Sequence, residues 1–280
     1  MRLVGRAVAI TCIIGACCGR GSAAAPAPMQ PLQSLRPLTA WNLNYGDTQC
    51  VALRDYGEGD DRLTFGIVPA PNGETYELIV ARKHKGPQFA EELEGTVDFG
   101  SGPVKAWLLH YSSEHRDVDL YQYRISAAEM SQARTASAVT FHIKRGPDQA
   151  FELGAIPALL DGLQKCTEDL KDYWNTDGEK DGRIAVGSKG DVRTVFSSRD
   201  YPWEALSRRQ EGTAQFLLLV NETGKVAGCD VLVASGVPAL DAMGCIAIQG
   251  RAKFAPARDH SGKAVRSTYV TPPIVWRMDF

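Results

Sequence analysis

AQFLLLVNETGKVAGCDVLVASGVPALDAMGC, residues 214–245, reads as a hairpin followed by the helix that packs on it. AQFLLLV (214–220) and VAGCDVLVA (226–234) are strand-like, and Asn221-Glu222-Thr223-Gly224-Lys225 between them is a glycine-containing hairpin loop. Cys229, Val231 and Val233 alternate, which predicts one shared strand face. Ser235-Gly236-Val237-Pro238 turns the chain, and Pro238 suits the first turn of a helix. Leu240, Met243, Gly244 and Ala247 form its core stripe, with Cys245 on the flank. A short helix, YPWEALSRR (201–209), comes before this unit. Ser267 to Val270 and Ile274 to Met278 close it as a strand interrupted by Pro272-Pro273. The order helix, strand, strand, helix, strand predicts an α+β domain over 191–280: an antiparallel sheet of about three strands with two helices on one face.

Working outward, residues 41–174 form a strand-rich α+β domain closed by a helix. LRDYG, DRLTFGIV and TYELIVARK read as short strands, and Pro71-Asn72-Gly73-Glu74 is a hairpin turn between the last two. Further strand-like runs are TVDF (96–99), KAWLLHY (105–111), DLYQYRI (119–125) and AVTFHIK (138–144). Ser126 with Glu129 makes a capping box for the short helix SAAEMSQAR. In PALLDGLQKCTEDLKDYW, Leu159, Leu163, Cys166 and Leu170 recur at helical spacing, so Cys166 belongs to the buried face. Residues 175–190 (NTDGEKDGRIAVGSKG) are rich in Gly, Asp and Lys and mark the linker between the two domains.

The N-terminus has the pattern of an export signal. Arg2 and Arg6 precede an apolar run from Ala7 to Cys18, too short for a bilayer span, and Ser22-Ala23-Ala24 offers the small residues of a cleavage site. The expectation is a signal peptide over 1–24, a Pro-rich leader over 25–40, and a periplasmic mature chain. A second reading is lipid anchoring at Cys17, and a third is an uncleaved anchor. Simple secretion leaves Cys50, Cys166, Cys229 and Cys245, an even set in an oxidising compartment that suggests two disulfides. Cys50 and Cys166 sit at the two ends of the first domain, and Cys229 and Cys245 join a strand to its packing helix.

Several residues of 191–280 together resemble the C-terminal domain of TonB-family proteins. They are Tyr201-Pro202 with Ala205, Glu211-Gly212 before an apolar strand, Gly224-Lys225-Val226, Ser235-Gly236-Val237-Pro238, Leu240-Asp241, and Phe254-Ala255-Pro256-Ala257. Trp41, Cys50, Leu163, Cys166 and Trp174 are similar to features of exported bacterial proteins that carry the same end domain, without a biochemical role attached. The resemblance implies a binding module that adds a strand from an outer-membrane transporter, or from another envelope protein, to its sheet edge. Main-chain hydrogen bonds then supply affinity and alternate side-chain pockets supply specificity. The edge it points to is the last strand: Thr268, Tyr269, Val270, Ile274, Val275 and Trp276. In TonB a membrane helix and a long Pro-rich spacer deliver force. Here the apolar run is short and no Glu-Pro/Lys-Pro repeat occurs, so binding or scaffolding is the expected role.

Other chemistry has little support. A net charge of −2 argues against nucleic acid. The five histidines, His84, His110, His115, His142 and His260, lack HExxH spacing, no CxxC is present, and neither a metal nor a cofactor is expected. There is no GxSxG, and neither Cys229 nor Cys245 has a histidine nearby in sequence, so no catalytic residue is assigned. Gly187 to Gly190 lacks P-loop spacing, and Glu58 to Asp61 lacks that of a calcium loop. Tyr201, Trp203, Tyr269 and Trp276 either line a peptide groove or pack the core. Two alternatives remain: a ligand-binding protein or enzyme with its site in 41–174 and the end domain as a docking handle, and a homodimer formed through the sheet edge.

Overall fold

The computed structural model describes residues 32–278, apart from 85, 87–89, 113–116 and 145. The expected signal peptide, the leader up to residue 31, the lipid-anchor Cys17, and Glu114 and His115 lie outside the described residues.

Period-two alternation builds the first sheet. In β6 (Val104–Ser112) Ala106, Leu108 and His110 turn inward, and in β7 (Val118–Ser126) Tyr121, Tyr123 and Ile125 do so. The intervening Trp107, Leu109, Gln122 and Arg124 therefore face the other side. Seven more strands join them: β1 (Asn42–Tyr45), β2 (Cys50–Tyr56), β3 (Leu63–Pro69), β4 (Thr75–Lys83), β5 (Ala90–Asp98), β8 (Ala138–Ile143) and β9 (Gln149–Glu152). Among the described residues their order is β1-β2-β3-β4-β7-β6-β5-β8-β9, antiparallel throughout. Neither β1 (NLNY) nor β9 (QAFE) is anticipated from sequence. Each is four residues long at a sheet end and carries few apolar side chains.

The sheet curls until its ends approach. Leu35 bridges to Phe151 in β9 and Pro37 to Tyr56 in β2, while the Tyr56 hydroxyl donates to Glu152 O at 2.8 Å. Aromatic side chains fill the interior: Tyr56, Phe65, Tyr123, Phe141 and Phe151 are fully buried, with Phe65 stacked on Phe151 at 5.4 Å. The capping box at Ser126 and Glu129 forms as the sequence indicates, opening the one-turn helix α1 (Ala127–Met130). Helix α2 (Ile156–Tyr173) then packs on β1 and β2 through Leu159, Leu163, Cys166 and Leu170. Trp174 Nε1 donates to Asp47 O at 2.6 Å and fastens the helix end to the β1–β2 loop.

Residues 175–190 are laid against the following unit. Asn175 Nδ2 donates to Arg266 O at 2.9 Å, Val186 bridges to Arg258, and Lys189 bridges to Ala255.

The second unit contains α3 (Trp203–Ser207), β10 (Gly212–Val220), β11 (Val226–Val233), α4 (Pro238–Arg251), β14 (Ser267–Val270) and β15 (Ile274–Trp276). A two-stranded hairpin, β12 (Ala257–Arg258) with β13 (Ala264–Val265), precedes β14. The sheet order is β11-β10-β14, and β15 pairs with the same side of β10 beyond Pro272-Pro273. The sheet is thus three strands wide with its last strand in two pieces. Helix α4 lies on β10 and β11, and α3 on α4. Gly244 permits the close approach: a Cβ there would come within 2.3 Å of the Phe216 ring.

One expectation is corrected. Val233 does not share a face with Cys229 and Val231. Register shifts from Phe216↔Val231 to Gln215↔Val233, so Leu232 bulges, Val233 turns over, and it is 48% exposed.

The two sheets belong to one compact unit. Phe216, Leu218 and Val220 of β10 face the α4 core, while Leu219, on the opposite face, is 1% exposed within the core of the first sheet. Arg124 of β7 donates through Nη1 to Val231 O at 3.1 Å and through Nη2 to Glu77 at 2.7 Å.

Candidate functional site

The outer edge formed by β14 and β15 has no strand partner among the described residues. Thr271 N–H donates to Phe216 O at 2.9 Å. Counting back by two along an antiparallel ladder, Tyr269 and Ser267 also face β10, and the N–H and C=O groups of Thr268 and Val270 point away from it. The same alternation along β10 turns Val275 outward in β15. Val270 and Val275 are 50% and 54% exposed. The start of β14 is covered, since Thr268 Oγ1 donates to Thr176 O at 3.4 Å and the Arg266 guanidinium lies 4.0 Å from the Tyr173 ring centroid. The open stretch therefore runs from Val270 to Trp276.

A groove of about 470 Å³ accompanies β15, walled by Phe196, Tyr201, Ile274 and Trp276 and rimmed by Arg193 and Arg277. Phe196 and Tyr201 stand edge-on to Trp276 at 5.3 and 5.7 Å. The Tyr201 hydroxyl donates to Gln210 O at 2.6 Å, and burial raises its pKa. Trp276 Nε1 is buried without a hydrogen-bond partner. Tyr201 and Trp276 thus wall the groove. Tyr269 packs on Phe254 at 4.9 Å, and Trp203, 75% exposed, is not among the wall residues.

Asp200 anchors the opposite wall. Its carboxylate accepts from Ser197 N–H and Oγ and takes both ends of the Arg251 guanidinium, at 2.6 and 3.0 Å. The Arg251 bonds hold its pKa down at about 2. Helix α4 thereby fixes the segment that carries Phe196. Sequence reading missed Phe196, Arg193 and Arg277 because they enter the groove only once residues 191–200 fold back along β15.

Both cysteine pairs are joined. Cys50–Cys166 spans 6.1 Å between Cα atoms and Cys229–Cys245 spans 5.6 Å. The second bridge ties β11 to α4 directly behind the sheet. Among the described residues no group of three or more metal-ligating side chains converges. His84 meets Asp119 at 2.6 Å, His110 meets Glu91 at 2.9 Å, and His142 pairs with Asp148. Nor is any described helix long and apolar enough to cross a membrane.

A free sheet edge, an apolar groove beside it and a two-piece edge strand lie together on one side of the second sheet. Residues 197–278 match the family model of the Gram-negative bacterial TonB protein C-terminal. The chain carries a TonB C-terminal domain. The curled sheet lies outside that match. Comparison with curated proteins and with solved structures finds no match. TonB C-terminal domains are non-enzymatic interaction domains of envelope proteins in transport energy coupling, and they generally engage outer-membrane transporters. In this TonB C-terminal domain the edge and its groove lie on β14 and β15, at one side of the sheet whose face rests on the first lobe.

Proposed function

We propose that this chain is an exported envelope protein that captures an extended segment of an outer-membrane transporter, or of another periplasmic protein, as an added strand along Val270–Trp276. The observation that supports this reading is the unpaired β14–β15 edge with the aromatic groove beside it. Outward backbone groups at Val270 and Val275 supply the main-chain bonds. Alternate side chains of the guest enter the Phe196–Tyr201–Trp276 groove, and Arg277 favours an acidic neighbour, the Arg193 guanidinium being already bonded to the Asp191 carboxylate. Binding rather than force transmission is favoured by the packing of the domain onto the first lobe through Leu219 and Arg124.

The test is titration of the mature chain with TonB-box peptides from the same organism's transporters. Saturable binding at millimolar concentration or tighter is expected. Val270→Pro removes an outward N–H without breaking the ladder to β10, because proline is tolerated on an edge. It should weaken peptide binding at least tenfold and leave the melting temperature nearly unchanged. Absence of saturable binding to the parent chain at millimolar peptide would overturn the transporter reading.

The alternative of a site within 41–174 meets an interior filled by Phe65, Tyr123, Phe141 and Phe151. A homodimer through the same edge would show as concentration-dependent elution in size exclusion.

A further inference from the structure

Where the outer face of the first sheet meets the second sheet there is a cavity of about 410 Å³, within the range of small-molecule sites. Its polar lining comes from both sides: Glu77, Trp107 and Arg124 from the first lobe, Asp230 and Asp241 from the second. The Cys229–Cys245 bridge is part of the wall and sets the spacing between β11 and α4.

The hydrogen-bond accounting of these groups does not close. Asp241 is 3% exposed; its Oδ1 accepts from Ser235 N–H at 2.9 Å, and its Oδ2 has no partner. Asp230 Oδ1 accepts from Val231 N–H at 3.0 Å but lies 3.8 Å from Arg124, beyond hydrogen-bond distance. Arg124 spends its two terminal nitrogens on Val231 O and Glu77, leaving Nε buried and unpartnered. Trp107 Nε1 is likewise buried and unpartnered. Among the charged lining residues, three carboxylates face one guanidinium. Burying a carboxylate oxygen without a donor is costly, so the site favours a ligand that brings donors and positive charge.

We propose that this cavity binds a small primary amine whose ammonium group is taken by the carboxylates of Asp230 and Asp241. An ammonium offers three N–H donors to separate acceptors. An anion would meet three carboxylates. A bound metal is not favoured, because no metal-ligating group of three converges among the described residues. The site is independent of the β15 groove and of the peptide that groove takes.

The test uses the mature full-length chain with ethanolamine and glycinamide as probes at constant ionic strength. Tetramethylammonium, which has no N–H, and acetate serve as controls. The readout is the indole ¹H–¹⁵N resonance of Trp107, assigned with Trp107→Phe. A saturable shift of that resonance is expected with at least one primary amine and with neither control. Asp230→Asn and Asp241→Asn are tested in parallel, their folding checked by circular dichroism. A tenfold or greater loss of affinity in at least one folded variant supports the site. No saturable shift up to 50 mM amine on the order of weak-ligand affinities, an equal shift with either control, or a smaller loss in both variants overturns it.

Discussion

Asp230 carries the strongest electrostatic tension at the seam. Its side chain is 20% exposed, and burial pushes its pKa up to about 6 against the opposing pull of Arg124, with Glu77 adding to the rise. The unfolded carboxyl titrates near 3.8. Between those values the folded chain holds a proton that the unfolded chain has lost. The stabilisation is therefore complete below the unfolded value and disappears as pH rises through about 6. Two pKa units correspond to on the order of 3 kcal/mol. Asp230→Asn should raise stability at pH 7.5 and flatten the slope between about pH 4 and 6, measured by urea unfolding across that range. An unchanged slope would show that the carboxylate is already solvated. Asp241, which burial also pushes up, stands in the same cavity.

The elements of the second unit are small, and their joints carry much of the order. A Cys229–Cys245 bridge closing a separation of 16 residues stabilises by about 3 kcal/mol in the chain-entropy model. The separation of 116 residues at Cys50–Cys166 raises this to about 5 kcal/mol. Paired serine substitutions should lower the melting temperature more for Cys50 with Cys166 than for Cys229 with Cys245. Only the second pair should also loosen α4 against the sheet, read as faster amide exchange in β11. Equal exchange in both variants would count against the staple. The hairpin, the packing helix and both cysteine partners were legible in local pattern. The bulge at Leu232 was not, because the alternation of Cys229, Val231 and Val233 is as regular in sequence as that of an unbulged strand. The groove was half legible: Tyr201 and Trp276 stand out as aromatics, whereas Phe196 becomes a wall only through the Asp200–Arg251 fork, residues 51 positions apart.

For the molecule as a whole, the second sheet is a layer between two cores. One face of β10 packs on α4, and Leu219 on the other joins the first lobe. Such sharing couples the lobes. Leu219→Ala should cost roughly 2–5 kcal/mol and lower the melting of both lobes together, by roughly 5–15 °C for a chain of this length. Coincident transitions by circular dichroism and tryptophan fluorescence are expected. Two separated transitions in the parent chain would show that the seam does not couple folding. The docking also leaves the β14–β15 edge facing outward, since the face and not the edge of the sheet meets the first lobe.

Local periodicity determined the helices and most of the strands, though not the four-residue β1 and β9, because side-chain direction repeats every two or 3.6 residues and needs no distant partner. It also placed Cys166 on the buried face of its helix, while the resemblance to TonB C-terminal domains rested on short motifs such as Ser235-Gly236-Val237-Pro238. Only the tertiary structure decided that the first sheet curls shut around its aromatics. It alone set Arg124 against Val231 and brought Glu77, Trp107, Asp230 and Asp241 around one cavity. Glu77, Trp107, Arg124 and Asp230 lie on the outward side of alternating strands and Asp241 on helix α4, and nothing in the sequence indicates what will cover them. Covering is a property of how two sheets meet, and no period within either strand encodes it.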